Sequence, residues 1–161
     1  MTGTPVNYIP RTRELYAPKP AYRWADLSQE SIPWTPMTKP LAECRVALAA
    51  SGGVHRHDQA PFHFKDDTSI RVVPTATRKD DLRVSHFGYP TGAAEKDPDC
   101  VFPVGPLLGL AEDGVIGGLA EDAVTFMGGI YSQRRVNEEL IPAVLSEVQR
   151  LAVDLFYIVP A

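Results

Sequence analysis

Residues 45–50 read Arg-Val-Ala-Leu-Ala-Ala, five apolar residues in succession behind one charge, and the run then breaks into Ser51-Gly52-Gly53. A short, continuous apolar run closed by a glycine pair predicts a strand buried on both faces, as in parallel sheets, rather than a half-exposed alternating one. A second run of this kind occupies residues 154–159, and shorter ones at 69–73 and 83–86 predict two further strands. Helical periodicity comes later in the chain. Residues 106–113 predict a short helix that opens at Pro106 and is stopped by Gly114 in the left-handed conformation. Val136, Leu140, Val144 and Val148 then recur at i+4 with Ile141, Leu145 and Leu151 beside them, the stripe of a longer amphipathic helix. Pro142 lies inside that stripe and predicts a kink or a late helix start, because it lacks an N–H and crowds the preceding turn. Short apolar strands followed by helices define an α/β fold.

Composition narrows the picture in three ways. With 161 residues, 44% of them apolar, the chain is sized for one globular domain, expected over residues 41–161. Residues 1–40 hold seven of the fifteen prolines together with Tyr8, Tyr16, Tyr22, Trp24 and Trp34, poor material for helix or ladder but rich in contact area. They are expected to form an extended N-terminal arm lying along a surface of this domain or of another subunit. The net charge of −4 comes from interspersed acids and bases with no basic stripe, which argues against a nucleic-acid partner. No apolar run reaches the roughly 20 residues that span a bilayer and the start has no signal-peptide pattern, so no membrane partner and a cytoplasmic location are expected. Cys44 and Cys100 form neither a Cys-x-x-Cys pair nor a disulfide framework.

Candidate chemistry concentrates just beyond the first strand. Three of the four histidines, His55, His57 and His63, fall within nine residues of one another, after a glycine pair that lets the backbone turn sharply toward a ligand. The crevice beyond the carboxyl ends of strands is the usual ligand site of open α/β sheets. His55 and His86 are the candidates for proton transfer or substrate polarisation, because an imidazole titrates near working pH. Gly53, Arg56 and Asp58 are the candidates for substrate binding, Arg56 for an anionic group and Asp58 for orienting His55. His57 and His63 are the candidate metal ligands, with zinc or another divalent ion in view; residues i and i+2 of a loop can converge on one cation. Asp58 stands one position early for the His-x-His-x-Asp-His loop of metallo-β-lactamase-like hydrolases, and no histidine follows it. Structural histidines fixing the strand ends are the competing reading.

Taken in order, Val46 to Phe62, Val84-Ser85-His86, Val101-Phe102-Pro103, Gly114-Val115-Ile116-Gly117 and Phe126-Met127-Gly128 resemble the glycine/sarcosine/betaine and D-proline reductase selenoprotein B family. The resemblance covers residues 44–161 and implies a Rossmann-like, mostly parallel sheet. It also implies reductive cleavage of carbon–nitrogen or related bonds by a cysteine or selenocysteine motif that follows a late apolar strand. Here that strand is followed only by Pro160 and Ala161, and neither cysteine has a partner at redox spacing. The sheet is therefore expected to be truncated, with its open side buried on another subunit.

Three functions follow. The first is a small accessory or site-completing subunit of a heteromeric cytoplasmic enzyme acting on a small organic molecule beside a larger catalytic subunit, with no cofactor of its own. By size and truncation the chain is also similar to the small subunit of the dinitroanisole O-demethylase type, which implies hydrolytic ether cleavage of a nitroaromatic and a metal held by the partner. The second is a self-sufficient metal-dependent hydrolase using His55, His57 and Asp58. The third is a half-subunit of a reductase whose cysteine or selenocysteine lies on another chain.

Overall fold

A computed structural model describes residues 9–16 and 35–161. The chain divides into two units, Met1–Pro36 and Met37–Ala161. In the first, helix α1 (Ile9–Tyr16) forms where an extended arm is expected; Pro10 falls in its first turn, where a missing N–H costs nothing. The rest of the expected arm lies outside the described residues.

The second unit is an α/β fold. Its strands are β1 (Arg45–Ala50), β2 (Val54–Arg56), β3 (Arg71–Pro74), β4 (Leu82–Val84), β5 (Gly118–Leu119), β6 (Asp122–Thr125) and β7 (Leu155–Val159). Its helices are α2 (Gly92–Lys96), α3 (Val104–Glu112), α4 (Gln133–Arg135) and α5 (Ile141–Leu151). Strand β1 is the axis of a curled, mostly parallel sheet. β7 runs parallel along one edge of it, from Val46↔Leu155 to Ala50↔Val159. The other edge takes β5 at its start and β6 at its end, both parallel. β3 closes that side, antiparallel to β6. β2 and β4 form a separate antiparallel pair.

The reason β1 is so apolar is that both its faces are covered. Val46, Leu48 and Ala50 pack with Phe102, Ile116 and the α3 residues Val104 and Leu107. Ala47 packs with Leu151 of α5, and Ala49 with Leu140 and Val144. Each fully buried leucine or valine in this core contributes about 1.5–3 kcal/mol. Helices α3 and α5 therefore lie on opposite faces of the sheet. The chain leaves β1 toward the α3 face and leaves β6 toward the α5 face, so the carboxyl ends of these two neighbouring strands mark a topological switch point.

Pro142 acts as its position predicts. Residues Val136–Leu140 form a π-helical turn and regular α-helix resumes at Ile141, with Pro142 in the first turn. Gly114 has φ +69° directly after α3. The helical stripe is covered only in part: Leu140 and Leu151 are buried, whereas Ile141 and Leu145 stay about half exposed. Among the described residues no helix is long and apolar enough to cross a membrane.

Candidate active site

Three strand ends meet at Ser51. Its N–H donates to Val159 O of β7, its carbonyl accepts from Gly128 N beyond β6, and its hydroxyl accepts from Ala161 N at 2.9 Å. Gly53 follows with φ +70°, and a Cβ added there would stand 2.2 Å from Ser85 O. Both the conformation and the close approach demand glycine. Gly53 N donates to Phe126 O, and Gly53 O accepts from Ser85 N, so this residue ties the β2–β4 pair onto the sheet. Gly53 is thus buried in the frame of the turn rather than open to a ligand.

His86 stands beside that turn. Its Nδ1 accepts from Gly88 N at 2.8 Å, which assigns the proton of the neutral ring to Nε2. Nε2 is buried and has no hydrogen-bond partner among the described residues. An orphaned buried donor costs about 1–3 kcal/mol, a cost that an acceptor on a ligand would remove. Burial lowers the His86 pKa and keeps the ring neutral. Phe87 stacks on it with centroids 5.9 Å apart, and Tyr131 lies 6.5 Å from Phe87; both aromatic rings are exposed and form a rim over the strand ends. Tyr89 packs 4.6 Å from His86 and donates its hydroxyl to Gly52 O at 2.7 Å. Its phenol is pushed up to about 12, by burial first and by the neighbouring Cys100 and Glu95 charges after it, so it remains a neutral donor.

The histidine cluster separates. His55 is buried, with Nδ1 2.8 Å from Arg56 O, Nε2 2.9 Å from Ser85 Oγ and Phe62 edge-on to the ring. Both nitrogens are engaged within the chain, which fits His55 for holding Ser85 and the β4 end in place. His57 faces outward, its Nδ1 3.8 Å from Asp81. His63 stacks on Phe64, and its Nδ1 accepts from Lys65 N. Arg56 and Asp58 grip each other through two hydrogen bonds, and the Arg56 bonds hold the Asp58 carboxyl below its usual range; Asp58 therefore orients Arg56, not His55. Arg56, His57 and Asp58 line an open cleft of about 290 Å³ with Thr77, Arg78 and Asp81.

Among the described residues, no group of three or more His, Cys, Asp or Glu side chains is placed to hold a metal. His55 and His57 do not converge as residues i and i+2 of a loop, because Val54–Arg56 is a strand. That strand carries His55 inward and ends before His57. The self-sufficient hydrolase, which needs His55, His57 and Asp58 on one ion, loses its site. The sequence names His86 as a candidate but gives no sign of Tyr89, Phe87 or Tyr131. The only available hint was the aromatic spacing around Gly88, which points nowhere without the fold.

Cys44 is buried just before β1, its Sγ 3.4 Å from Pro40 O, and Cys100 is exposed at the end of the short turn Pro98–Cys100.

The chain matches the glycine/sarcosine/betaine reductase selenoprotein B family over residues 26–155. The likeness thus reaches into the proline- and aromatic-rich segment that the motifs alone do not cover. D-proline reductase subunit gamma of Acetoanaerobium sticklandii is 39% identical over 121 residues, which cover 75% of this chain and 50% of that protein. Sarcosine reductase complex component B subunit beta of Peptoclostridium acidaminophilum is 30% identical over 105 residues, 62% of this chain and 24% of that one. The chain spans half the length or less of these curated relatives. Both carry the names of reductase subunits, and the ether-cleaving hydrolytic reading draws no support from them. No solved structure matches.

Proposed function

Because the chain belongs to the glycine/sarcosine/betaine reductase selenoprotein B family, we propose that it is a site-completing subunit of a heteromeric reductase acting on a small amine-bearing carboxylic acid. Proline and sarcosine, named in the relatives, are both small secondary amines beside a carboxylate. The crevice at the ends of β1 and β6 forms one wall of the site in this reading. The observation that carries it is the buried Nε2–H of His86, without a hydrogen-bond partner among the described residues, under an exposed aromatic rim. Displacement of Phe87 opens a path for a substrate carboxylate to accept that hydrogen bond, and Phe87 and Tyr131 flank the apolar part of the molecule. Tyr89 holds the Gly52 carbonyl and so fixes the turn against which the substrate rests.

The reducing group of this reading, a thiol or selenol, is one other than Cys44 or Cys100. Cys44 is buried against the Lys39 and Pro40 carbonyls, and Cys100 lies in an acidic turn that disfavours a thiolate. The metal expected on a partner has no counterpart in this reading.

Binding of sarcosine and D-proline to the purified complex without reductant tests the proposal. A hydrogen bond from an imidazole to a carboxylate is worth about 1.5–3 kcal/mol, so His86→Ala should weaken binding about 10- to 100-fold while the complex stays assembled. His86→Gln, which keeps a side-chain N–H, should recover part of the loss. Unchanged affinity in both variants would remove His86 and this wall from the site.

A further inference from the structure

Two aromatic rings pack against the His86 imidazole, and they are held differently. Tyr89 is tied by its hydroxyl to Gly52 O at 2.7 Å. Phe87 has no polar group to anchor it, is 44% exposed, and stacks on His86 at an interplanar angle of 19°. Phe87 is therefore the ring that can swing away without breaking a hydrogen bond.

A seat in the backbone defines where that ring rests. A Cβ added at Gly129 would stand 2.5 Å from Cζ and 2.6 Å from Cε1 of Phe87, so the far edge of the ring lies where any larger residue would place its side chain. Gly129 is not among the glycines at positive φ, so the ring, not the backbone conformation, calls for glycine here. The turn that carries the seat, residues 128–132, is pinned at both ends. Gly128 N donates to Ser51 O at 2.9 Å, and Asp66 Oδ1 accepts from Tyr131 N at 2.7 Å and from Ser132 N at 3.2 Å. Asp66 is held in turn by Arg135, which donates to its carbonyl and also to Thr68 and Glu139. Its φ of +45° is left-handed, a conformation that aspartate and asparagine adopt more readily than most residues.

We propose that Phe87 is the gate of the His86 pocket: seated on Gly129 it closes the Nε2–H, and swung off that seat it admits the substrate carboxylate. The turn at residues 128–132 sets the closed position, and Asp66 is its positioning residue. The inference rests on the His86 reading above and adds the residue that controls access. A substrate that must displace the ring binds with an affinity lowered by the fraction of time the gate is closed.

Solvent exchange of the His86 Nε2 proton, read by isotope-edited NMR on the purified protein, reports the gate without any substrate. Phe87→Ala removes the ring and Gly129→Ala fills its seat; each should speed exchange about 10-fold, the scale of one lost aromatic stack. Asp66→Gly keeps the left-handed backbone but removes the carboxylate, and should also speed exchange. Asp66→Asn keeps an acceptor oxygen and should restore the wild-type rate. In the complex, Gly129→Ala should raise the association rate of D-proline about 10-fold, because the gate no longer closes. Unchanged exchange in Phe87→Ala and Gly129→Ala, or exchange already fast in the wild-type protein, overturns the gate and leaves the His86 reading to its own binding test. Unchanged exchange in Asp66→Gly overturns the positioning role of Asp66. Faster exchange with unchanged D-proline association overturns Phe87 as a substrate gate, and if His86→Ala then binds D-proline normally the site reading falls with it.

Discussion

Replacing Gly53 by alanine should cost the fold about 3 kcal/mol, and the contributions are separable. Holding a non-glycine residue at φ +70° costs roughly 1–2 kcal/mol. The new Cβ would lie 2.2 Å from Ser85 O, so that carbonyl must move by about an ångström, roughly the shortfall from ordinary van der Waals contact. That movement breaks the Ser85 N–H to Gly53 O bond, worth about 1 kcal/mol net. Thermal unfolding should fall by roughly 6–12 °C for a chain of this size. Gly109→Ala in α3 is the matched control: its added Cβ meets nothing within 4 Å, and relief of backbone entropy should raise stability by about 0.5–1 kcal/mol. Urea titration of both variants by circular dichroism gives the two values directly. A Gly53→Ala protein within about 0.5 kcal/mol of wild type would refute the claim that this turn is built on a left-handed, crowded glycine.

Tyr89→Phe should lose about 1 kcal/mol of stability in the same titration, because it leaves the Gly52 carbonyl without its donor. In the wild-type protein the folded-state phenol of Tyr89 is raised to about 12 against an ordinary value of 10.0, so its contribution is complete below pH 10 and declines as pH rises toward 12. Absorbance titration should show a tyrosine ionising toward pH 12 that is absent from Tyr89→Phe, and Tyr89→Phe should flatten the alkaline loss of stability. Glu139 is lowered to about 2 by hydrogen bonds from Arg135 and then Thr68; its contribution is present above the ordinary range near 4.5 and is lost as pH falls toward 2. Glu139→Gln should therefore flatten the acid limb of the stability curve, and an unchanged limb would count against the Arg135–Glu139–Thr68 cluster.

What the sequence disclosed follows how local each cause is. β1 is legible because burial on both faces leaves a continuous apolar run, and the late start of α5 is legible because Pro142 acts through its own ring. β6 escapes notice: Asp122–Thr125 is four residues of small side chains, and it becomes a central strand only because β1 and β3 pair on its two edges. β2 is invisible for the same reason, being three residues long and held by β4, the strand that the run at 83–86 predicts in part. The histidine cluster misleads because nearness in sequence is not convergence in space, as β2 turns His55 inward and releases His57 to solvent. His86 is the reverse case. Its importance lies in an unsatisfied Nε2, which exists only because Gly88 N occupies Nδ1 and the rings of Phe87 and Tyr89 close around it.

The central claim, that this chain supplies one wall of the site of a heteromeric reductase, is tested most directly by reconstitution. The chain, the product of its neighbouring gene, and the two together should each be assayed for dithiol-dependent cleavage of sarcosine and D-proline. Turnover should appear only with both present and should fall at least tenfold with His86→Ala. Full turnover by this chain alone, or equal turnover by the partner without it, would contradict the claim.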